Sequence, residues 1–304
     1  MKSGYLVGLA ALFLSVATPA LAGVECNLRL VTSLPMGIDQ AGGVYVPMQI
    51  DGRSVNLLVD TGGLDSMLTG ETVKALGLDT VAFGAGRYLQ VFGGRRIYGY
   101  ATGRNILLGT LAAPHMRFLV MPDDMLAPEV QGTMAPDILR AYDDDFDFVN
   151  AKLNLISPDH CRGQVVYWTK DPPAAIPFTF DNITHIQISV LLDGKEIKAD
   201  LDTGTSRTIF SLDEAERLFG FDTGSPALET LKEGGIARPY KFPFKTMTFG
   251  GVTVANPDII LVPDSESRMH GSDRIILGMG VLRQLHLYIA YREKTVYVTP
   301  ASAH

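Results

Sequence analysis

Asn56-Leu57-Leu58-Val59-Asp60-Thr61-Gly62-Gly63-Leu64-Asp65-Ser66 has a counterpart 142 residues later, Lys198-Ala199-Asp200-Leu201-Asp202-Thr203-Gly204-Thr205-Ser206-Arg207-Thr208. Both place Asp-Thr-Gly directly after an apolar run. The flanks repeat as well. Asp51-Gly52 precedes Asp60, and Asp193-Gly194 precedes Asp202, at the same distance. Asp-Gly between apolar stretches marks a tight hairpin, because glycine takes positive φ at little cost. The reading is therefore a hairpin before each motif, Tyr45–Ile50 with Val55–Val59 and His185–Leu192 with Ile197–Leu201.

The repeat extends downstream. Glu71–Leu76 and Asp213–Phe219 have helical spacing and end in Gly77 and Gly220, which predicts two short helices with glycine C-caps. Leu107–Asp123 matches Thr248–Asp264, each read as strand, Gly turn, strand. Ala135–Leu139 followed by Phe146–Ile156 matches Gly278–Leu282 followed by Leu287–Val298. Short strands, Gly/Pro turns and few helices predict an all-β fold made of two similar lobes. A third copy, Asp222-Thr223-Gly224, aligns with Asp79-Thr80-Val81 just past a helix and reads as a surface turn.

Two carboxylates forced together cannot both ionise cheaply, so they share a proton. One then acts as base and the other as acid. Each half of this chain supplies one such residue, Asp60 and Asp202. Gly62 and Gly204 permit close backbone approach. Thr61 and Thr203 have hydroxyls able to bond across the junction.

This order of apolar strand, Asp-Thr-Gly, short helix, Gly-bearing hairpin and late apolar-apolar-Gly resembles the pepsin/retropepsin-like aspartic proteases. The likeness is greatest to exported bacterial members with two retropepsin-like halves on one chain, and it spans about residues 41–300. It implies a bilobal fold of two β-barrel lobes with the active site at their junction. It implies peptide-bond hydrolysis by Asp60 and Asp202, supported by Thr61, Gly62, Thr203 and Gly204, without metal or organic cofactor. The late motif is matched by Ile276-Leu277-Gly278. The first half departs, with Thr133-Met134-Ala135, and Gly63 and Thr205 differ from the Ala or Ser frequent after the motif. The family closes a hairpin flap over its substrate. The preferred candidate here is Tyr88–Tyr98, tipped by Gly93-Gly94, with Tyr88 or Tyr98 reaching the cleft. Leu231–Tyr240 is the other, and either is an ordinary surface hairpin otherwise.

The rest of the sequence bounds the setting. Lys2, the apolar run Tyr5–Val16 and Ala20-Leu21-Ala22 read as a secretory signal peptide over residues 1–22, the other reading being an uncleaved anchor. The lobes are then 23–164 and 178–304, joined by a Pro-rich connection over 165–177, and the protein is expected in the periplasm or secreted. No stable membrane span is expected after cleavage. Loss of Lys2 takes the formal charge from −7 to −8, which argues against nucleic acid as a partner and leaves a protein or peptide substrate. With both acids on one chain, a monomer is expected. The two cysteines, Cys26 and Cys161, suit one disulfide in an exported protein, or two buried thiols. The histidines have no metal-type spacing. Asp143-Asp144-Asp145 reads as a solvated turn, Trp168 as packing, and Arg95-Arg96 as a solvated pair or a selector of acidic substrates. A peptide-binding scaffold that keeps the fold without catalysis is the competing function.

Overall fold

The computed structural model describes residues 27–91, 94–181, 184–231, 239–267 and 274–301. The signal segment 1–22 and Cys26 of the expected Cys26–Cys161 pair lie outside them.

Both hairpins form. Val44–Ile50 pairs with Arg53–Val59, and His185–Leu192 with Lys195–Leu201. Asp51 and Gly52 have φ of 51° and 75°, and Asp193 and Gly194 have 45° and 81°. Two successive left-handed residues are what a two-residue turn needs to match the strand twist. Alternate residues of the first hairpin, Val46, Met48, Ile50, Val55 and Leu57, point into the core.

The helices form at Gly70–Leu76 and Leu212–Phe219. Thr69 and Ser211 cap them, their hydroxyls accepting from Thr72 N and Glu214 N at 3.2 and 3.0 Å. Gly77 and Gly220 end them with φ of 68° and 71°, a conformation costly for any residue with a Cβ.

In each lobe the Asp-bearing strand is flanked by the late motif. Gly132–Met134 lies parallel to Arg53–Val59, as Arg274–Leu277 does to Lys195–Leu201. Met67–Thr69 and Thr208–Ser211 run antiparallel to these late strands. The first-lobe sheet turns back on itself through Gln49↔Leu107. The second lobe differs in its outer hairpin. Its returning strand stops at Ala255 and resumes at Ile259, because Asn256 is left-handed (φ 49°) and Pro257 has no N–H to give the ladder. The corresponding strand of the first lobe, Leu111–Met121, is unbroken.

A six-stranded sheet joins the lobes. Leu30–Pro35, Lys152–Ile156 and Asp143–Asp147 come from the first half, and Leu285–Ala290, Thr295–Pro300 and Ala174–Pro177 from the second. The stretch read as a connection thus ends as one of its edge strands. Asp143-Asp144-Asp145 is not a solvated turn. These residues lie mid-sheet, Asp143 paired to Ile156 and Asp144 and Asp145 to Ile289 and Tyr288, and are at most 1% exposed. A strand alternates its faces, so three buried acids in a row are tolerable only if both faces hold donors. They do. His160 Nε2 and Tyr288 Oη reach Asp143 at 2.5 and 3.2 Å, Tyr291 Oη donates to Asp144 at 2.8 Å, and His286 Nε2 and Asn154 Nδ2 reach Asp145 at 2.7 and 2.8 Å. Trp168 does pack here, stacked on His286 with ring centroids 4.1 Å apart and its Nε1 donating to Thr299.

Asp144 Oδ1 has no hydrogen-bond partner among the described residues. Burial, only partly offset by Tyr291, raises the Asp144 pKa well above its ordinary value. The folded state therefore binds this proton more tightly than the unfolded chain. Its stabilising contribution is complete below the unfolded carboxylate range, about pH 4, and is lost as pH rises through the folded value. Asp144→Asn keeps the Tyr291 bond without an ionisable group. Urea unfolding near pH 5 and pH 7 should show a smaller loss of stability with rising pH in this variant than in the parent. An unchanged slope would mean that Asp144 ionises as readily folded as unfolded.

Candidate active site

The two Asp-Thr-Gly loops meet at the lobe junction. Asp60 N donates to Met134 O at 2.9 Å and Asp202 N to Leu277 O at 3.0 Å, so each loop hangs from the late strand of its own lobe. The buried threonines cross over. Thr61 N donates to Thr203 Oγ1 at 3.1 Å and Thr203 N to Thr61 Oγ1 at 3.0 Å. Each hydroxyl donates onward into the opposite lobe, Thr61 to Leu201 O at 3.1 Å and Thr203 to Val59 O at 2.6 Å. Thr203→Val leaves two buried backbone groups unpaired and should cost about 2–4 kcal/mol in denaturant unfolding, whereas Thr203→Ser should restore most of it.

The glycines are needed for approach, since neither has a left-handed φ. A Cβ on Gly62 would lie 2.4 Å from Asp202 Cγ, and one on Gly204 would lie 2.4 Å from Asp60 Oδ1. Each glycine is thus the seat of the opposite lobe's carboxyl. Gly62 N donates to Asp60 Oδ1 at 3.1 Å and Gly204 N to Asp202 Oδ1 at 2.8 Å. The two carboxyls are thus brought close enough for each to act on the other. Burial and then the Asp202 charge push the Asp60 pKa well above the usual carboxylate range. Burial also raises Asp202, opposed by the Gly204 N–H and by the charge of His185. One proton shared between two carboxyls is the state these surroundings favour.

The first-half departures compensate each other. A Cβ on Gly278 would sit 2.1 Å from Arg207 O and 2.6 Å from Thr205 Cγ2. In the first lobe a Cβ on Gly63 would sit 3.2 Å from Ala135 Cβ and 2.8 Å from Asp60 Oδ2. So Thr205 fills the space behind one loop and Ala135 fills it behind the other, and in each case the facing residue is glycine. Ser66 and Thr208, unremarked in the sequence reading, hold these positions. Their hydroxyls accept from Ala135 N at 3.0 Å and Gly278 N at 3.1 Å. Their 142-residue spacing was the available signal.

Asp222-Thr223-Gly224 is an exposed turn, Gly224 N donating to Asp222 Oδ1 at 2.9 Å. The Tyr88–Tyr98 segment carries a small hairpin, Leu89–Gln90 with Arg96–Ile97, and Gly94 is left-handed with φ of 72°. Gly93 lies outside the described residues, as do 232–238 of the other flap candidate. Tyr88 and Tyr98 are exposed with centroids 6.3 Å apart. Arg95 and Arg96 are both exposed, as a solvated pair would be, and each has a surface partner. Arg95 is ion-paired with Asp124, and Arg96 lies over the Tyr88 ring at 4.3 Å.

Between this hairpin and the first Asp loop is a cavity of about 1040 Å³, lined by Phe83, Tyr88, Tyr100, Arg117, Asp65 and Asp137 among others. Neither catalytic candidate lines it. Ser66 N and Oγ donate to Asp137 at 3.0 and 2.7 Å, which joins the cavity floor to the loop support. Although Asp137 faces the open cavity, surrounding protein desolvates its carboxyl and pushes its pKa up to about 6. Among the described residues no cluster of metal-ligating side chains occurs, and no helix is long and apolar enough to cross a membrane.

A family model described as aspartyl protease matches residues 46–136 and 188–281, more than half of the chain and both motif regions. No curated protein matches at a significant level. Among solved structures, basic 7S globulin from soybean is similar, with a TM-score of 0.55 and 13% sequence identity over 90% of this chain and 96% of that one. At that identity the likeness concerns the fold alone.

Proposed function

The chain belongs to the aspartyl protease family, and from that premise we propose that it is an exported aspartic endopeptidase, active as a monomer, with Asp60 and Asp202 as its proton-sharing pair. The observation that carries this reading is the close approach of two half-buried carboxyls, one from each lobe, each seated against the opposite lobe's glycine. The ionised member takes a proton from a water held between them. The resulting hydroxide attacks the scissile carbonyl carbon, while the neutral member gives its proton to the carbonyl oxygen. Collapse of the tetrahedral intermediate returns a proton to the leaving amine. Water, acid and base suffice for this balance, so no cofactor is needed.

The exposed Tyr88–Tyr98 hairpin suits a flap that excludes water from the bound peptide. The cavity beneath it, with its aromatic walls, suits an apolar substrate side chain. Export rests on the signal-type leader, and the substrates proposed are exported proteins.

Digestion of a peptide library across about pH 3 to 7 tests the proposal, because acid–base catalysis by a carboxyl pair needs one proton on the pair. Discrete cleavage products support it. Peptide binding without cleavage at every pH favours the scaffold reading. Inactivity on the library, with one exported protein accumulating in a deletion strain, points to a single-target protease.

A further inference from the structure

One difference between the two lobes, where the 142-residue offset sets His185 against Gly43, lies beside the catalytic candidates. Ile186 pairs with Leu201 at the end of its ladder, and continuing that register by one residue sets His185 across from Asp202. Tyr45 pairs with Leu58 at the end of the first-lobe ladder, and continuing it by two residues sets Gly43 across from Asp60. Directly opposed residues of an antiparallel pair share a face, so each of these positions looks toward its own lobe's catalytic candidate. The first lobe has no room for a side chain there. A Cβ on Gly43 would lie 2.7 Å from Leu58 Cδ1 and 2.8 Å from Asp39 Oδ2. The second lobe has room and places an imidazole in it.

Resting on the protease reading, we propose that His185 is the positioning residue that breaks the symmetry of the pair, holding Asp202 as the carboxylate and leaving the shared proton on Asp60. Asp202 is then the base that takes the proton from water, and Asp60 is the acid.

The charges packed against His185 allow it to act on Asp202. Asp181 is its cross-strand partner on Thr179–Asp181, but Arg274, from Arg274–Leu277, is ion-paired with Asp181 and with Asp200. Asp200 also accepts from Gln187 Nε2 at 3.2 Å. The nearby carboxylates other than Asp202 are thus already engaged by a guanidinium. A cation at this position finds in Asp202 the carboxylate not so engaged. The direction agrees. His185 lowers Asp202, adding to the larger effect of the Gly204 N–H, while the charge of Asp202 raises Asp60.

The test uses the full mature chain with ¹³C-carboxyl-labelled aspartate, titrated by NMR, with Asp60→Asn and Asp202→Asn supplying the assignments. In the parent protein Asp202 should ionise at lower pH than Asp60. In His185→Gln the Asp202 titration should move up and the gap should narrow. His185→Lys, which restores a cation, should reopen it. In parallel, the acid limb of the kcat/KM profile should move up by about half a pH unit or more in His185→Gln, a ~3-fold loss on that limb. A structural role alone would lower rates without moving the limb. Asp60 ionising first in the parent, or an Asp202 titration indifferent to both His185 variants, overturns the proposal. The titrations do not require turnover. Absence of any cleavage by the parent would therefore sink the protease reading while the proton order was still being read.

Discussion

Asp60→Asn and Asp202→Asn should each lower kcat/KM for peptide cleavage by at least about 10³-fold while leaving the fold intact. The reason is specific to a shared site. An amide can neither accept the proton of the attacking water nor return one, and the remaining carboxyl then has to serve as acid and base at once. The shape is nearly unchanged. Asn keeps an oxygen for the Gly62 or Gly204 N–H, and the threonine cross-bonds do not involve the carboxyls. Each variant also removes one desolvated ionisable group, and an amide N–H can donate to the remaining carboxylate in place of the shared proton, so neither variant should melt below the parent near pH 7. Cleavage kinetics with thermal unfolding on the same preparations check both halves. Substantial activity in either single variant would remove the pair from the mechanism. Unfolding of both variants would mean that the carboxyls are structural first.

Gly278→Ala should be among the most damaging small substitutions outside the aspartates, costing about 3 kcal/mol. The added carbon would lie 2.1 Å from Arg207 O, a backbone atom in the loop after Asp202, and 2.6 Å from Thr205 Cγ2. A backbone carbonyl cannot rotate aside as a side-chain tip can. The loop must shift, and the Thr208 hydroxyl bond to Gly278 N goes with it. The converse change, Ala135→Gly, only empties a methyl-sized space beside Gly63 and should cost about 1 kcal/mol. Denaturant unfolding of the two variants measures the asymmetry. Equal costs would contradict the reciprocal packing of Gly63 with Ala135 and of Thr205 with Gly278. Activity should follow the same order, since the shifted loop carries Asp202.

The duplication was legible because both of its signals are local. Asp-Gly turns demand left-handed backbone, and Asp51-Gly52 and Asp193-Gly194 adopt it. Glycine after a short amphipathic run stops a helix, as Gly77 and Gly220 do. The same 142-residue offset that paired the motifs also paired Thr69 with Ser211 and Ser66 with Thr208, which now have matched bonds.

What the sequence reading missed has one cause. Asp143-Asp144-Asp145 reads as solvated because three adjacent carboxylates repel and hydrate well. Nothing near them in sequence announces His286, Tyr288 or Tyr291, which arrive from more than 140 residues away. Arg95 and Arg96 are exposed as read, and only their partners, Asp124 and the ring of Tyr88, had no local signal. The departures at Gly63 and Ala135 read as two separate differences from the family pattern. They are one packing solution when the two loops are seen stacked.

By itself, then, the sequence determined the two lobes, the hairpins, the helix limits and the identity of the paired aspartates, since each depends on backbone preference or on a repeat of nearby residues. Only the tertiary structure decided that the glycines seat the opposite carboxyls, that three acids are buried between the lobes, and that His185 has no counterpart at Gly43. Those features depend on which distant atoms share a few ångströms, and both desolvation and charge act over that distance rather than along the chain.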